Sequence, residues 1–285
     1  MIQVIDGKIL AEHLRKELKN HAETFRKKNK RPIGLAVIMV GENPASQVYI
    51  KNKITACQQV GIKSVPHILA EGTSEKYVAK LIEKFNSAKD IDGILVQLPL
   101  PKKINERNIL NLIDPSKDVD GFHASNAGAL LLGLDCLPAC TPAGCIALIK
   151  STGVDLVGKH AVIVGRSNIV GKPVALLLLQ ESCTVTITHS KTKDLANLTR
   201  QADILVVAIG QKHVITGGMI KPGAIVIDVG INRVDNKIYG DVNFEQASRI
   251  AGFITPVPGG VGPMTITMLL ANTVKAAMRR TGTKL

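Results

Sequence analysis

Apolar residues in this chain come in short blocks separated by longer stretches of mixed polarity. The block IGLAVIMV at 33–40 has strand length and no polar member, as expected of a strand buried on both faces. Before it, 8–28 carry a helical pattern that Asp6 can cap. After it, Asn43 and Pro44 form a helix-start signature, with proline at the first helical position, opening a helix over 44–59. Residues 62–69 alternate and read as a strand, Thr73 or Ser74 caps a helix to about Phe85, and GILVQL at 93–98 is a short strand running into Pro99 and Pro101. A second series opens at Thr141-Pro142 with a helix to about 151. Strands follow at 160–165, 184–188, 203–208 and 224–229, with a helix over 172–180 after the first. The stretch TPVPGGVGPMT at 255–265 turns into a last helix ending near Arg280. This β/α alternation predicts mostly parallel sheets with helices on both faces, binding ligands at the carboxyl ends of their strands.

Composition narrows the picture. The 285 residues suit two domains or one large α/β unit. Aromatic residues make up 3% and tryptophan is absent, which argues against stacking nucleobases on aromatic platforms. A net charge of +13 suits anionic partners, from nucleic acid to phosphorylated or polycarboxylate small molecules. The charge is dispersed, and its densest group, RKKNKR at 26–31, reads as a solvated helix end. Five cysteines, an odd number, and a first segment unlike a signal peptide predict a reducing, cytoplasmic setting. Cys136, Cys140 and Cys145 cluster without a C-x-x-C pair, so no metal site is expected. No apolar run reaches 18 residues, and no membrane-spanning helix is expected.

Candidate chemistry centres on GENPASQVYIKNK at 41–53. Tyr49 and Lys53, four apart, share one helix face, and Lys51 points away. A phenol beside an amine suits proton chemistry: the ammonium is expected to lower the tyrosine pKa, and burial to lower that of the lysine. A solvated lysine beside a half-buried tyrosine is the plainer alternative. Gln97, at a strand end before prolines, faces either a ligand or loop peptides. In KDVDGF, Asp118 and Asp120 flank a turn and could cap a helix, hold a ligand or bind a metal. GRSNIVG at 165–171 joins a strand to a helix, a phosphate-binding arrangement in which the helix N-terminus is expected to offer unpaired N–H groups, although the spacing is not G-x-G-x-x-G. The next strand ends in His189-Ser190-Lys191, without the acid that an NAD site places on the ribose. Arg166, Ser190 and His189 could instead hold a 2′-phosphate, which favours NADP. Gly210 and Gly230 supply small residues at later strand ends.

Four segments, ILVQLPLP, KDVDGF, VGRSNIVGKP and PGGVGPMT, in this order and spacing, closely resemble the bifunctional methylenetetrahydrofolate dehydrogenase/cyclohydrolase family over nearly the whole chain. The resemblance implies two α/β domains: a folate-binding catalytic domain of residues 1–138 plus the C-terminal helix 266–285, and a Rossmann-type NADP-binding domain of residues 139–265. It implies oxidation of 5,10-methylenetetrahydrofolate by NADP⁺, then hydrolysis of the methenyl product to 10-formyltetrahydrofolate, in one cleft, within one-carbon metabolism and purine biosynthesis. Lys53 would assist proton transfer and water attack, Tyr49 would tune it and stack near the folate, and Gln97 would hydrogen-bond Lys53. Asp120 would grip the pterin, while Leu98, Pro258, Gly259 and Gly260 would line the substrate site. Gly165, Arg166, Ser167, Ser190 and Ile231 would contact NADP. A homodimer is implied, with no nucleic acid or membrane partner. A dehydrogenase-only relative and a non-catalytic dinucleotide- or nucleic-acid-binding protein are the competing readings.

Overall fold

The computed structural model describes residues 2–235 and 237–284. Its helices and strands, in chain order, are β1 (Gln3–Val4), α1 (Gly7–Asn29), β2 (Gly34–Val40), α2 (Pro44–Val60), β3 (Lys63–Leu69), α3 (Glu75–Ser87), β4 (Gly93–Val96), α4 (Glu106–Asn111), α5 (Ala124–Leu131) and α6 (Cys140–Lys150). They continue with β5 (His160–Val164), α7 (Gly171–Gln180), β6 (Thr184–Thr188), α8 (Leu195–Thr199), β7 (Ile204–Val207), β8 (Ile225–Asp228), β9 (Asn232–Val234), β10 (Lys237–Tyr239), α9 (Phe244–Ala247), β11 (Phe253–Ile254) and α10 (Val261–Thr281). The chain divides into two compact units, 13–140 with 266–285 and 1–12 with 141–265.

In the first unit, β3, β2 and β4 form a parallel sheet with β2 in the middle. Alternate residues of a strand point to opposite faces. Leu35, Val37 and Met39 therefore join a core with Phe25 of α1, Ile50 and Cys57 of α2, and Leu269 and Leu270 of α10. Ala36, Ile38 and Val40 join another with Val78, Ile82 and Phe85 of α3 and Ile109 of α4. Both faces of β2 are covered, which is why its sequence has no polar position. Each fully buried Leu, Ile or Phe contributes about 1.5–3 kcal/mol. The segment after β4 is fixed by Lys117, which is 1% exposed. Its ammonium donates to the Phe85, Asn86 and Ala88 carbonyls at 2.7, 2.7 and 2.9 Å, satisfying the C-terminal end of α3.

The second unit holds a six-stranded parallel sheet in the order β1-β11-β8-β7-β5-β6. Val162, Val164, Leu205, Val207 and Val226 of its inner strands pack with Ile215, Ile220 and Val242. The antiparallel pair β9–β10 stands apart from this sheet.

Three expectations are corrected. Residues 1–12, expected with the following 126, group with 141–265, because β1 pairs with β11 and the Gln3 and Ile5 N–H groups bond to the Gly252 and Ile254 carbonyls. The last helix begins at Val261, inside the expected turn. Pro263 sits in its first turn, where no intrahelical acceptor is yet available and a missing N–H is harmless. Arg31 is not a solvated helix end: it pairs with buried Asp92 through both terminal nitrogens, at 2.6 and 2.8 Å. The short elements β1, α4, α5, α8, β9, β10, α9 and β11 had no expectation.

Candidate functional site

In the first unit, α2 carries Lys53 inward. The lysine is 6% exposed, Lys51 on the opposite side is exposed and Tyr49 is half-buried. This excludes the solvated-lysine reading. Lys53 Nζ donates to Gln97 Oε1 at 3.0 Å. Gln97 is itself oriented, since its Nε2 donates to the Leu98 carbonyl at 2.7 Å, just before the cis Leu98–Pro99 peptide. The amide oxygen is thereby aimed at the lysine. The expected effect of the ammonium on the tyrosine is reversed: burial pushes the Tyr49 phenol up from its ordinary value, so it is a neutral hydroxyl.

The two acids of KDVDGF have separate fates. Asp118 accepts the Phe122 and His123 N–H groups and the Asn126 side-chain amide at 3.2, 2.8 and 2.9 Å, which ties the loop to the start of α5. It is a structural acid. Asp120 is left for other work. Burial raises its pKa above the usual carboxylate value; the Lys53 ammonium opposes that rise and the Asp118 carboxylate adds to it. Gly121 follows with φ of +75°, and a Cβ there would meet the backbone of Pro138 and Ala139, so only glycine lets the loop turn at this point. Cys140, a residue given no role in the site from sequence, hydrogen-bonds Asp120 and places its Sγ 3.2 Å from the Val119 carbonyl. Burial keeps its thiol, and that of Cys57 near Lys53, protonated: the Cys57 thiol is pushed up to about 12. Asn272 of α10 supports the same loop through the Val119 and Pro138 carbonyls at 2.9 and 2.8 Å. Its sequence signal was slight, being one polar residue on an apolar helix face.

In the second unit, Gly165 closes β5 with φ of +127°. A Cβ on Gly165 would collide with the Ala208 carbonyl oxygen, and one on Gly171 with the carbonyl of Gly165. A turn this tight brings backbone close to a ligand, and it fits a dinucleotide. Arg166, Ser167, Ser190 and Ile231 are exposed around the carboxyl ends of β5, β6 and β8. The expected free N–H groups of α7 are not there. Ser167 Oγ accepts those of Val170 and Gly171 at 3.1 and 3.3 Å, the Ser167 carbonyl takes that of Lys172, and Pro173 has none. The helix dipole remains, and Arg166 is an exposed cation in the same turn. His189 Nδ1 accepts the Lys191 N–H at 3.1 Å, which shapes the Ser190 turn. Pro258, Gly259 and Gly260 lie by the start of α1, where a Cβ on Gly7 would collide with the Gly260 carbonyl.

Two buried acids complete this unit. Asp228 accepts the N–H groups of Gly230, Asp241 and Val242 at 2.9, 3.0 and 2.9 Å. Burial outweighs those bonds and pushes its carboxyl up to about 6. All five cysteines are buried and unpaired, and no cluster of metal-ligating side chains occurs among the described residues. No helix among them is long and apolar enough to cross a membrane.

Comparison with known proteins finds two family domains in the same order, with bounds that differ from the two compact units chiefly at residues 5–12 and 266–281. Residues 5–120 match the catalytic domain of tetrahydrofolate dehydrogenase/cyclohydrolase, and residues 139–281 match its NAD(P)-binding domain. The bifunctional protein FolD of Moorella thermoacetica is 55% identical over 278 residues, covering 97% of this chain and 99% of that protein. The crystal structure of the bifunctional FolD methylenetetrahydrofolate dehydrogenase/cyclohydrolase of Campylobacter jejuni superposes with a TM-score of 0.96 at 50% identity, over 98% of this chain and 100% of that one. The Trypanosoma brucei dehydrogenase-cyclohydrolase, crystallised with NADP cofactor and an inhibitor, gives 0.95 at 36% identity over 98% of each chain. With both family domains matched in order and relatives aligned almost end to end, this chain belongs to the tetrahydrofolate dehydrogenase/cyclohydrolase family.

Proposed function

We propose that this chain oxidises 5,10-methylenetetrahydrofolate to 5,10-methenyltetrahydrofolate with NADP⁺ and hydrolyses the product to 10-formyltetrahydrofolate. Family membership and the bifunctional relatives support the two reactions. The observation that carries the second is the buried Lys53 ammonium held by Gln97 in the catalytic domain.

NADP⁺ supplies the hydride acceptor of the first step. The residues for it are Gly165, Arg166, Ser167, Ser190 and Ile231, with the Gly165 turn admitting the backbone approach. In the hydrolytic step, water adds to the methenyl carbon and loses one proton to give a neutral hydroxyl adduct; the bond from carbon to N5 then breaks as the remaining hydroxyl proton passes to N5, leaving the formyl group on N10. Lys53 handles the proton, Gln97 fixes its direction, and the neutral Tyr49 hydroxyl packs on the same helix face. The Asp120 carboxyl accepts from the N–H edge of the pterin. Leu98, Pro258, Gly259 and Gly260 line the substrate. Residues 13–140 with 266–285 serve folate, and residues 141–265, joined by 1–12, serve the nucleotide. The enzyme works as a homodimer in the cytoplasm, supplying formyl groups for purine biosynthesis, and sedimentation at twice the 30.4 kDa chain mass tests the dimer.

The direct test mixes purified protein, methylenetetrahydrofolate and NADP⁺ or NAD⁺ and follows methenyl absorbance. The expected result is product with NADP⁺ preferred. No product with either nucleotide removes the proposal.

A further inference from the structure

Asp241 is 0% exposed and lies outside both segments that carried the resemblance in this unit. Its Oδ2 accepts the N–H groups of Ile209 and Gly210 at 2.7 and 3.0 Å. Its Oδ1 accepts the Gln211 N–H at 2.9 Å and the Asn232 side-chain amide at 2.8 Å. Three consecutive N–H groups after β7 thus converge on one carboxylate, and the same carboxylate holds the residue next to Ile231 after β8. Asp228 fixes Asp241 in turn, accepting its N–H at 3.0 Å and that of Gly230 at 2.9 Å. Glycine at 230 is required, because a Cβ there would collide with the Asp241 carboxylate.

The arrangement has a purpose that packing alone does not require. Three successive N–H groups pointing one way form an anion-binding concavity. Here the protein fills it with its own acid, so these groups cannot serve a phosphate. What they do is set the shape of the 209–211 and 230–232 loops at the carboxyl ends of two adjacent strands, where a doubly wound sheet receives its dinucleotide. We infer that Asp241 is a positioning residue for the nicotinamide dinucleotide, locking the loops after β7 and β8 in the receptive shape without touching the ligand. This rests on the cofactor reading given above.

The loops that Asp241 holds are not those of Arg166 and Ser190, which follow β5 and β6. Loss of the clamp should therefore weaken NADP and NAD alike. The variant Asp241→Asn keeps the side-chain size but replaces one accepting oxygen with a donor facing N–H groups. Preorganisation lost in this way is expected to raise both nucleotide dissociation constants by about tenfold, with their ratio unchanged within about twofold. Hydrolysis of added methenyltetrahydrofolate, which uses Lys53 and no nucleotide, should stay within about twofold of wild type. Asn232→Ala removes one of the four donors to Asp241, along with a 3.3 Å bond to the Tyr239 carbonyl, and should raise both constants by about threefold, which decides the matter if Asp241→Asn fails to fold. An altered NADP-to-NAD ratio, unchanged nucleotide binding, or hydrolysis falling together with binding would overturn the inference. Wild-type protein binding neither nucleotide would instead defeat the cofactor reading itself.

Discussion

At the residue scale, burial divides the work among similar groups. Asp118 and Asp120 lie two apart, yet one spends its oxygens on backbone and Asn126 while the other faces Lys53 and Cys140. The consequence is testable through pH. Burial raises the folded-state pKa of Asp120, so the folded chain holds that proton at a pH where the unfolded chain has released it. Above the raised pKa the ionised carboxylate lowers stability, and the penalty is relieved as pH falls through it. Asp120→Asn should therefore unfold at or above the wild-type temperature at neutral pH, and this advantage should shrink toward acid pH. Its KM for the folate substrate should rise by about tenfold or more, because the pterin loses its charged acceptor. Thermal melts across pH and steady-state kinetics check the two halves. A variant less stable than wild type throughout would show that the carboxylate is held for folding instead. The pairing of Lys53 with Tyr49 on one helix face was legible from spacing. The reversal of the tyrosine shift was not, because it comes from burial of the phenol, which the packing around α2 decides and residue spacing does not show.

At the element scale, the proposed preference for NADP rests on the turn from β5 to α7. Arg166 is exposed there, and the N–H groups of the helix start are taken by Ser167. Phosphate recognition then depends on side chains, and Arg166→Ala should weaken NADP by about tenfold while leaving NAD within about twofold. Isothermal titration with both nucleotides measures this, and equal losses for both would remove Arg166 from the 2′-phosphate. The long elements were readable because each repeats one physical rule over many residues. The run at 33–40 had to be doubly buried, and Ser74 caps α3 by accepting the Tyr77 N–H at 3.3 Å. What escaped was short or non-local. β1 has two residues and exists only through pairing with β11, some 250 positions away. α4 and α5 have six and eight residues, too few for periodicity to speak. Asp241 lies in a turn, and its four donors come from two other loops.

At the scale of the whole molecule, the described residues form two parallel sheets of different size and one antiparallel pair, with residues 1–12 assigned to the larger sheet by one strand pairing. The four motifs identify the family because each marks a place where sequence is constrained by chemistry or by backbone collision: Gln97 at a strand end, Asp120 before Gly121, Gly165 at the close of β5, and the Pro258–Gly260 turn. The dispersed +13 charge needs no nucleic acid to account for it in an enzyme whose proposed substrates carry phosphate and carboxylate. The central claim is that a second, hydrolytic activity rests on Lys53. The most direct measurement is the decay of methenyltetrahydrofolate with wild-type protein and with Lys53→Met, each also titrated with NADP⁺. The account predicts wild-type decay well above the spontaneous rate, a loss of at least about a hundredfold in the variant, and unchanged NADP⁺ affinity. Hydrolysis persisting in Lys53→Met, or lost together with NADP⁺ binding, would contradict it.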